Sequence, residues 1–269
     1  IPGGTMGNRN FMAHLSVICL PALMLVSIRV RRSWAFICCV AGMAVVADAL
    51  VLSRSRAALL GLCFGMAALA YGVWRARVRW NDGCTAFRLK ALLLAGVLGV
   101  LGALLIPNTL QWKSDSPYLD TVSGIVNYRE GSGHGRVVQY ARTLRMAAAH
   151  PLLGAGPGNW TLVYPEFSEY FDPSMDYYTG LTINPWPSGD WLAILSERGI
   201  PALAAILLAL LGLLSRSWRR VTEAADAQEW QEGLALSATL VIAATASCFD
   251  AVLMLPASAF LAWALFGAL

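Results

Sequence analysis

Six apolar runs, each long enough to cross a bilayer, constrain this chain more than any other feature. They lie near 11–28, 34–52, 57–74, 89–106, 191–214 and 234–255, and a seventh begins near 257. Crossing hydrocarbon takes about 20 apolar residues in helical form, because every backbone N–H and C=O there must be satisfied within its own segment. The expected fold is therefore all-α, a polytopic transmembrane bundle of about six to seven spans. Only 13% of the 269 residues are charged, against about 25% in ordinary soluble domains. The chain opens at Ile1 with no basic n-region, and its last apolar run is still under way at Leu269. A piece of a larger bundle is expected, and no signal peptide.

Short connections orient the bundle. Arg29, Arg31 and Arg32 follow the first run; Arg75, Arg77, Arg79, Arg88 and Lys90 link the third and fourth; Arg216, Arg219 and Arg220 follow the fifth. All fall on one side, which the positive-inside rule makes cytoplasmic. The Ser53-Arg-Ser-Arg56 turn, the long loop and the turn at 250–256 then face outward, where arginines need explaining. Arg54 and Arg56 either snorkel to headgroups or point into the bundle mouth and hold an anion. Asp48, about two turns before Arg56, needs a partner inside the membrane.

The expected divisions are 1–106 (four spans), 107–190 (a long polar loop) and 191–269 (the remaining spans). The loop is electrically lopsided. From 107 to 150 it carries Lys113, Arg129, Arg136, Arg142 and Arg145 against three acids, whereas from 151 to 190 it has five acids and no Lys or Arg. Apolar spacing predicts a helix over 135–149, stopped by Pro151. Arg136 then falls in its first turn, where free N–H groups and the helix dipole attract an anion. Arg142 and Arg145, three apart, repel unless a negative partner sits between them, either a lipid headgroup or a substrate phosphate. Downstream, Tyr164 and Tyr170 alternate with Glu166 and Glu169; aromatic faces beside carboxylates suit sugar rings, and an interfacial aromatic belt is the alternative.

Other chemistries find little support. Gly154-Ala-Gly156-Pro-Gly158 follows no strand and precedes no Gly-Lys-Ser/Thr, so it reads as a tight turn and not as a nucleotide loop. No nucleic-acid partner is expected. The six cysteines show no CxxC spacing, and no metal or cofactor site is expected.

Gly4-Thr-Met-Gly-Asn-Arg-Asn10, Ser53-Arg-Ser-Arg-Ala-Ala58, Gly135-Arg136, His150-Pro-Leu-Leu-Gly-Ala-Gly-Pro-Gly-Asn159 and Asp190-Trp-Leu-Ala-Ile-Leu-Ser-Glu-Arg-Gly199 occur in that order. Together they resemble the O-antigen ligase and polymerase superfamily. The resemblance implies a bacterial inner-membrane glycosyltransferase of the GT-C type with its large loop in the periplasm. Such an enzyme moves a glycan from an undecaprenyl diphosphate carrier to an acceptor sugar without a metal, in lipopolysaccharide or other surface-polysaccharide synthesis. Arg56 and Arg136 would bind the diphosphate, and Glu197 would be the acidic residue near the outer end of the fifth span. One departure stands out: where ligases of this family carry a His-Asn pair, this chain has Ser188-Gly189. Asp190 and His134 become the candidates for proton transfer, with Asp190 also readable as a helix cap and His150 as part of a turn. A non-catalytic glycan-binding or assembly protein on the same scaffold is the alternative.

Overall fold

The computed structural model describes residues 8–76, 83–106, 116–127, 129 and 131–267. Lys113 and Arg77 and Arg79 lie outside the described residues. The chain is a multi-pass helical membrane protein whose order is α1 (Arg9–Arg29), α2 (Ser33–Ser53), α3 (Arg56–Ala76), α4 (Gly83–Leu105), α5 (Pro117–Val126), α6 (Gly131–Ala149), α7 (Trp160–Phe167), α8 (Asp190–Thr222), α9 (Ala227–Ala246) and α10 (Pro256–Gly267). Among the described residues there is no strand, only an antiparallel bridge between Met175 and Thr182.

Among the described residues five helices, α1 to α4 and α8, are long and apolar enough to cross a membrane. The sixth run departs from its expected bounds of 234–255. Its helix, α9, begins at Ala227 behind the Asp226 N-cap and stops at Ala246. The cause of the early stop is tertiary. The Asp190 carboxylate accepts the backbone N–H groups of Val252 (2.8 Å), Leu253 (2.9 Å) and Met254 (3.1 Å), holding that stretch as a turn until Pro256 opens α10.

Lipid offers no hydrophobic drive for helices to associate, so close packing through small residues carries the bundle. Gly61 and Gly65 on α3 form a GxxxG face against α9. A Cβ on Gly61 would come within 3.0 Å of the Ile242 carbonyl oxygen, and one on Gly65 would overlap the Ile242 side chain. Gly99 brings α4 equally close to the backbone of α2 at Ala44. The core between these layers is built on Val17, Ile18, Leu50, Leu92, Ile242 and Val252. Asp48 faces Gly102 of α4; no arginine pairs with it among the described residues.

The bundle has two electrically distinct ends. At one, Arg88 Nη1 donates to the carbonyls of Ser27, Ile28 and Val30, placing a cation on the negative C-terminus of α1. Glu232 lies 2.7 Å from Arg29 and 3.7 Å from Arg220 at the same end. At the other end the start of α1, the α2–α3 turn, α5, α6 and the α9–α10 turn converge.

Candidate functional site

The site begins with how three helices start and stop. Asn8 caps α1 by accepting the Asn10 N–H, so Arg9 and Asn10 occupy its first turn. Helix α2 ends on Arg54 in the left-handed conformation (φ 53°), and α3 opens two residues later on Arg56. This tight reversal projects both arginines towards α5. Arg54 Nε donates to Thr121 Oγ1 at 2.8 Å and Arg56 Nη1 to the Gly124 carbonyl at 2.7 Å. Gly124 leaves room for the guanidinium, which a Cβ there would overlap.

Helix α6 supplies Arg136. The expected start at 135 is corrected to Gly131: this residue, at a positive φ of 61°, turns the chain into the helix and the following glycines join it. Arg136 therefore lies in the second turn, and the dipole argument for its position does not apply.

These elements enclose two adjoining clefts. One, with about 400 Å³ of open space, is lined by Arg9, Asn10, Arg54, Ser55, Arg56, Thr121 and Arg136, none of them acidic. The other, about 450 Å³, shares Arg56 and Arg136 and is otherwise lined mainly by Ala57, Leu60, Val137, Tyr140 and Phe249. Guanidiniums are planar, permanently charged and matched to phosphate oxygens, so four of them on four elements make a positively charged cleft that suits a multiply charged anion, beside a less polar one. Among the described residues no cluster of His, Cys, Asp or Glu could hold a metal ion.

The other candidates stand elsewhere. Arg142 pairs with Glu169, and Arg145 reaches the same carboxylate at 3.3 Å. Glu169 is thus the negative partner that two arginines three residues apart require, and neither arginine lines the clefts. The hydrogen bond from Arg142, ahead of the contribution of Arg145, holds the Glu169 carboxyl below its ordinary range. Tyr164 is fully buried beside Met146 and Trp160, and its hydroxyl donates to Asp172 at 2.8 Å. Burial first, then that bond, push the hydroxyl's pKa far upward. Glu166, Tyr170 and His134 are exposed, as is His150, whose carbonyl accepts the Gly154 N–H in the turn after α6.

Glu197 anchors the loop to the bundle. It is 2% exposed, and its Oε1 accepts the Trp160 N–H at 3.3 Å. Around it, Ala155 and Gly156 donate to the carbonyls of Ser196 and Glu197. Two glycines permit this approach: Gly154 (φ 66°) lies against the Glu197 backbone, and Gly199 (φ 80°), at a kink within α8, lies against the Leu152 carbonyl. The glycine-rich segment is the tight turn expected between two loop helices, and it also docks on α8, which was not expected.

Ser188-Gly189 is clamped. The Ser188 N–H donates to Gln139, and the Tyr140 hydroxyl lies 2.6 Å from the Ser188 carbonyl and 2.8 Å from that of Cys248. A Cβ on Gly189 would come within 3.2 Å of the Cys248 carbonyl oxygen. Asp190 is 0% exposed, with its carboxylate occupied by the α9–α10 turn.

Sequence reasoning missed Arg9 as a member of the arginine cleft, and it missed Asp250 with its neighbours Asn10 and His14. The Asn8-Arg9-Asn10 run on the same side as Arg54 and Arg56 was the available signal for the first; the second depends on a turn that local sequence does not specify.

A family model described as O-antigen ligase matches residues 41–207. No curated protein is similar enough to the chain to count as a match. Because the matched stretch covers well over half of the chain, from within α2 through the loop helices into α8, the chain belongs to the O-antigen ligase family.

Proposed function

We propose that this protein transfers a glycan from an undecaprenyl diphosphate carrier to an acceptor sugar at the periplasmic face of a bacterial inner membrane. The observation that carries the reading is the convergence of Arg9, Arg54, Arg56 and Arg136 on one cleft beside a less polar one. Displacing a diphosphate requires stabilising negative charge that grows on the leaving group, and fixed guanidiniums supply this without reorganising. Glycan recognition falls to the exposed residues at the loop surface, Glu166 and Tyr170 together with Phe171 and Tyr177, since Tyr164 is enclosed.

Purified full chain, reconstituted with a lipid-linked glycan and an acceptor sugar, should release free carrier diphosphate and form the extended acceptor. Binding of the lipid-linked glycan with no release in any acceptor series would make the chain a non-catalytic assembly protein.

Orientation is tested separately, in a Cys248→Ser background that removes an exposed thiol at the cleft end. A cysteine replacing Ser168 should label from outside with an impermeant maleimide, and Cys84, at the start of α4, should not. Labelling of Cys84 in intact cells would reverse the topology and place the cleft on the cytoplasmic side.

A further inference from the structure

Glycosyl transfer needs a receiver for the proton of the acceptor hydroxyl. At the position of the family's usual histidine stands a clamped Ser188, and Asp190 is enclosed with three backbone donors on its carboxylate. The cleft end holds another carboxylate, in the α9–α10 turn and outside the stretch matched by the family model. Asp250 follows Phe249, which lines the less polar cleft. Its Oδ2 accepts from Asn10 Nδ2 at 2.7 Å, and Asn10 lines the arginine cleft. Its Oδ1 accepts the Ala251 N–H at 2.9 Å. The side chain is 13% exposed, so it is fixed without being sealed.

Behind it stands His14, one turn after Asn10 on α1. The imidazole is 0% exposed, its Nε2 is 3.9 Å from Asp250 Oδ2, and neither ring nitrogen has a hydrogen-bond partner among the described residues. Buried polar atoms without partners are uncommon, and each calls for a physical explanation. A closure of about 1 Å brings Nε2 into hydrogen-bond range of Oδ2.

We propose that Asp250 is the proton acceptor of the transfer reaction, with Asn10 and His14 positioning its carboxylate. The proposal rests on the glycosyl-transfer reading. As the acceptor oxygen bonds to the anomeric carbon, its proton passes to Asp250. The bond from that carbon to the carrier phosphate oxygen breaks, and its electron pair leaves with the diphosphate held by the arginines. Asp250 then returns the proton to water. Carboxylates perform the same service for attacking water in inverting glycosidases. The titratable group beside this one is His14 from α1, on which Arg136 of α6 also acts, and Arg9, Arg54, Arg56 and Arg136 line the cleft that Asn10 shares.

The experiment uses the reconstituted full chain with lipid-linked glycan and acceptor, and follows both carrier-diphosphate release and carrier-diphosphate affinity. Asp250→Asn keeps an acceptor oxygen for Ala251 and turns an amide N–H₂ towards Asn10, whose own amide can rotate to accept it, while removing the base. Transfer should fall by about 10²- to 10⁴-fold, with affinity for carrier diphosphate within about threefold of the parent. Formate should restore part of the activity of Asp250→Ala and none to Arg136→Ala, and His14→Gln should shift the acid limb of the rate profile while leaving affinity unchanged. Transfer by Asp250→Asn within about threefold of the parent overturns the proposal, as does an activity loss matched by an equal loss of affinity. An inactive parent would sink the glycosyl-transfer reading itself, whereas an active parent with an inactive Arg136→Ala and an active Asp250→Asn would sink this assignment alone.

Discussion

On α6, Arg136 opens onto the cleft, while Arg142 and Arg145, about two turns further along, close on Glu169. The helix itself makes the division. At about 100° per residue, six residues carry a side chain some 240° around the axis, so Arg142 cannot share the face of Arg136. The faces then meet opposite surroundings. Arg136 meets Arg9, Arg54 and Arg56 from three other elements, around the cleft in which the proposed diphosphate would sit. Arg142 and Arg145 meet a carboxylate from the segment after α7, and Glu169, shared between the two guanidiniums, ties loop pieces together and offsets one of their two charges. A high local density of arginine in sequence therefore does not tell which arginines converge; only the fold brings those of separate elements together.

The strongest way to break this comparison is to remove arginines from both faces. Arg136→Ala and Arg56→Ala should each lower carrier-diphosphate release by about 10²- to 10³-fold, the usual cost of one preorganised donor to a developing anion. Lysine should restore little, because a point charge does not reproduce a bidentate fork. Arg145→Ala should leave the rate within about twofold. Equal losses on the two faces would show that α6 carries one electrostatic site and not two.

Asp190 sharpens the same contrast among carboxylates. In Asp190→Asn an amide N–H₂ replaces one oxygen and faces a backbone donor of the 252–254 turn. Stability should fall by about 1–3 kcal/mol, the cost of leaving a buried donor unsatisfied, read as a lower unfolding temperature. Activity per folded molecule should be retained; full stability with no transfer would return Asp190 to the chemistry.

Gly124→Ala tests how finely the cleft face is set. The added Cβ overlaps the Arg56 guanidinium, whose flexible end will move, breaking its bond to the Gly124 carbonyl. A fall of about tenfold in release is expected, equivalent to about 1.4 kcal/mol, with little change in unfolding temperature. An unchanged rate would mean that Arg56 acts from another position.

The bundle was legible because span length and apolarity are local properties: the first four expected spans match α1 to α4 within a few residues at the ends, apart from the longer N-terminal start of α4. The sixth run was misjudged at its end because Asp190, distant in sequence, unwinds the stretch after Ala246. The site was legible in part. Arg56 and Arg136 stood out as cations on the side where cations are scarce. Tyr164 was read as a face for a sugar, since nothing local distinguishes a tyrosine that packs against Trp160 from one that faces a glycan, and Asp190, read as a base or a helix cap, instead holds the 252–254 turn. Asp250 and His14 were invisible for the converse reason: only the folded chain sets α1 against the α9–α10 turn.

The smallest effect comes from the ion-paired face. Arg142 and then Arg145 hold the Glu169 carboxyl below its ordinary value of 4.5. A carboxyl depressed in the folded state contributes stability that is present above its unfolded pKa and is lost as pH falls through the folded one. The tie should therefore be fully formed from neutral pH down to about 5 and weaken only below 4.5. Glu169 is exposed, so solvent and salt screen the interaction and the loss stays local. Pepsin nicking of the segment from 168 to 182 should accelerate as pH falls below that value in the parent. In Glu169→Gln nicking should be faster at pH 5 and nearly indifferent to acid, with carrier-diphosphate release at neutral pH within about twofold of the parent. If parent and variant show the same pH profile, Glu169 is not what joins this segment to α6, and the two faces of the helix differ less than their geometry implies.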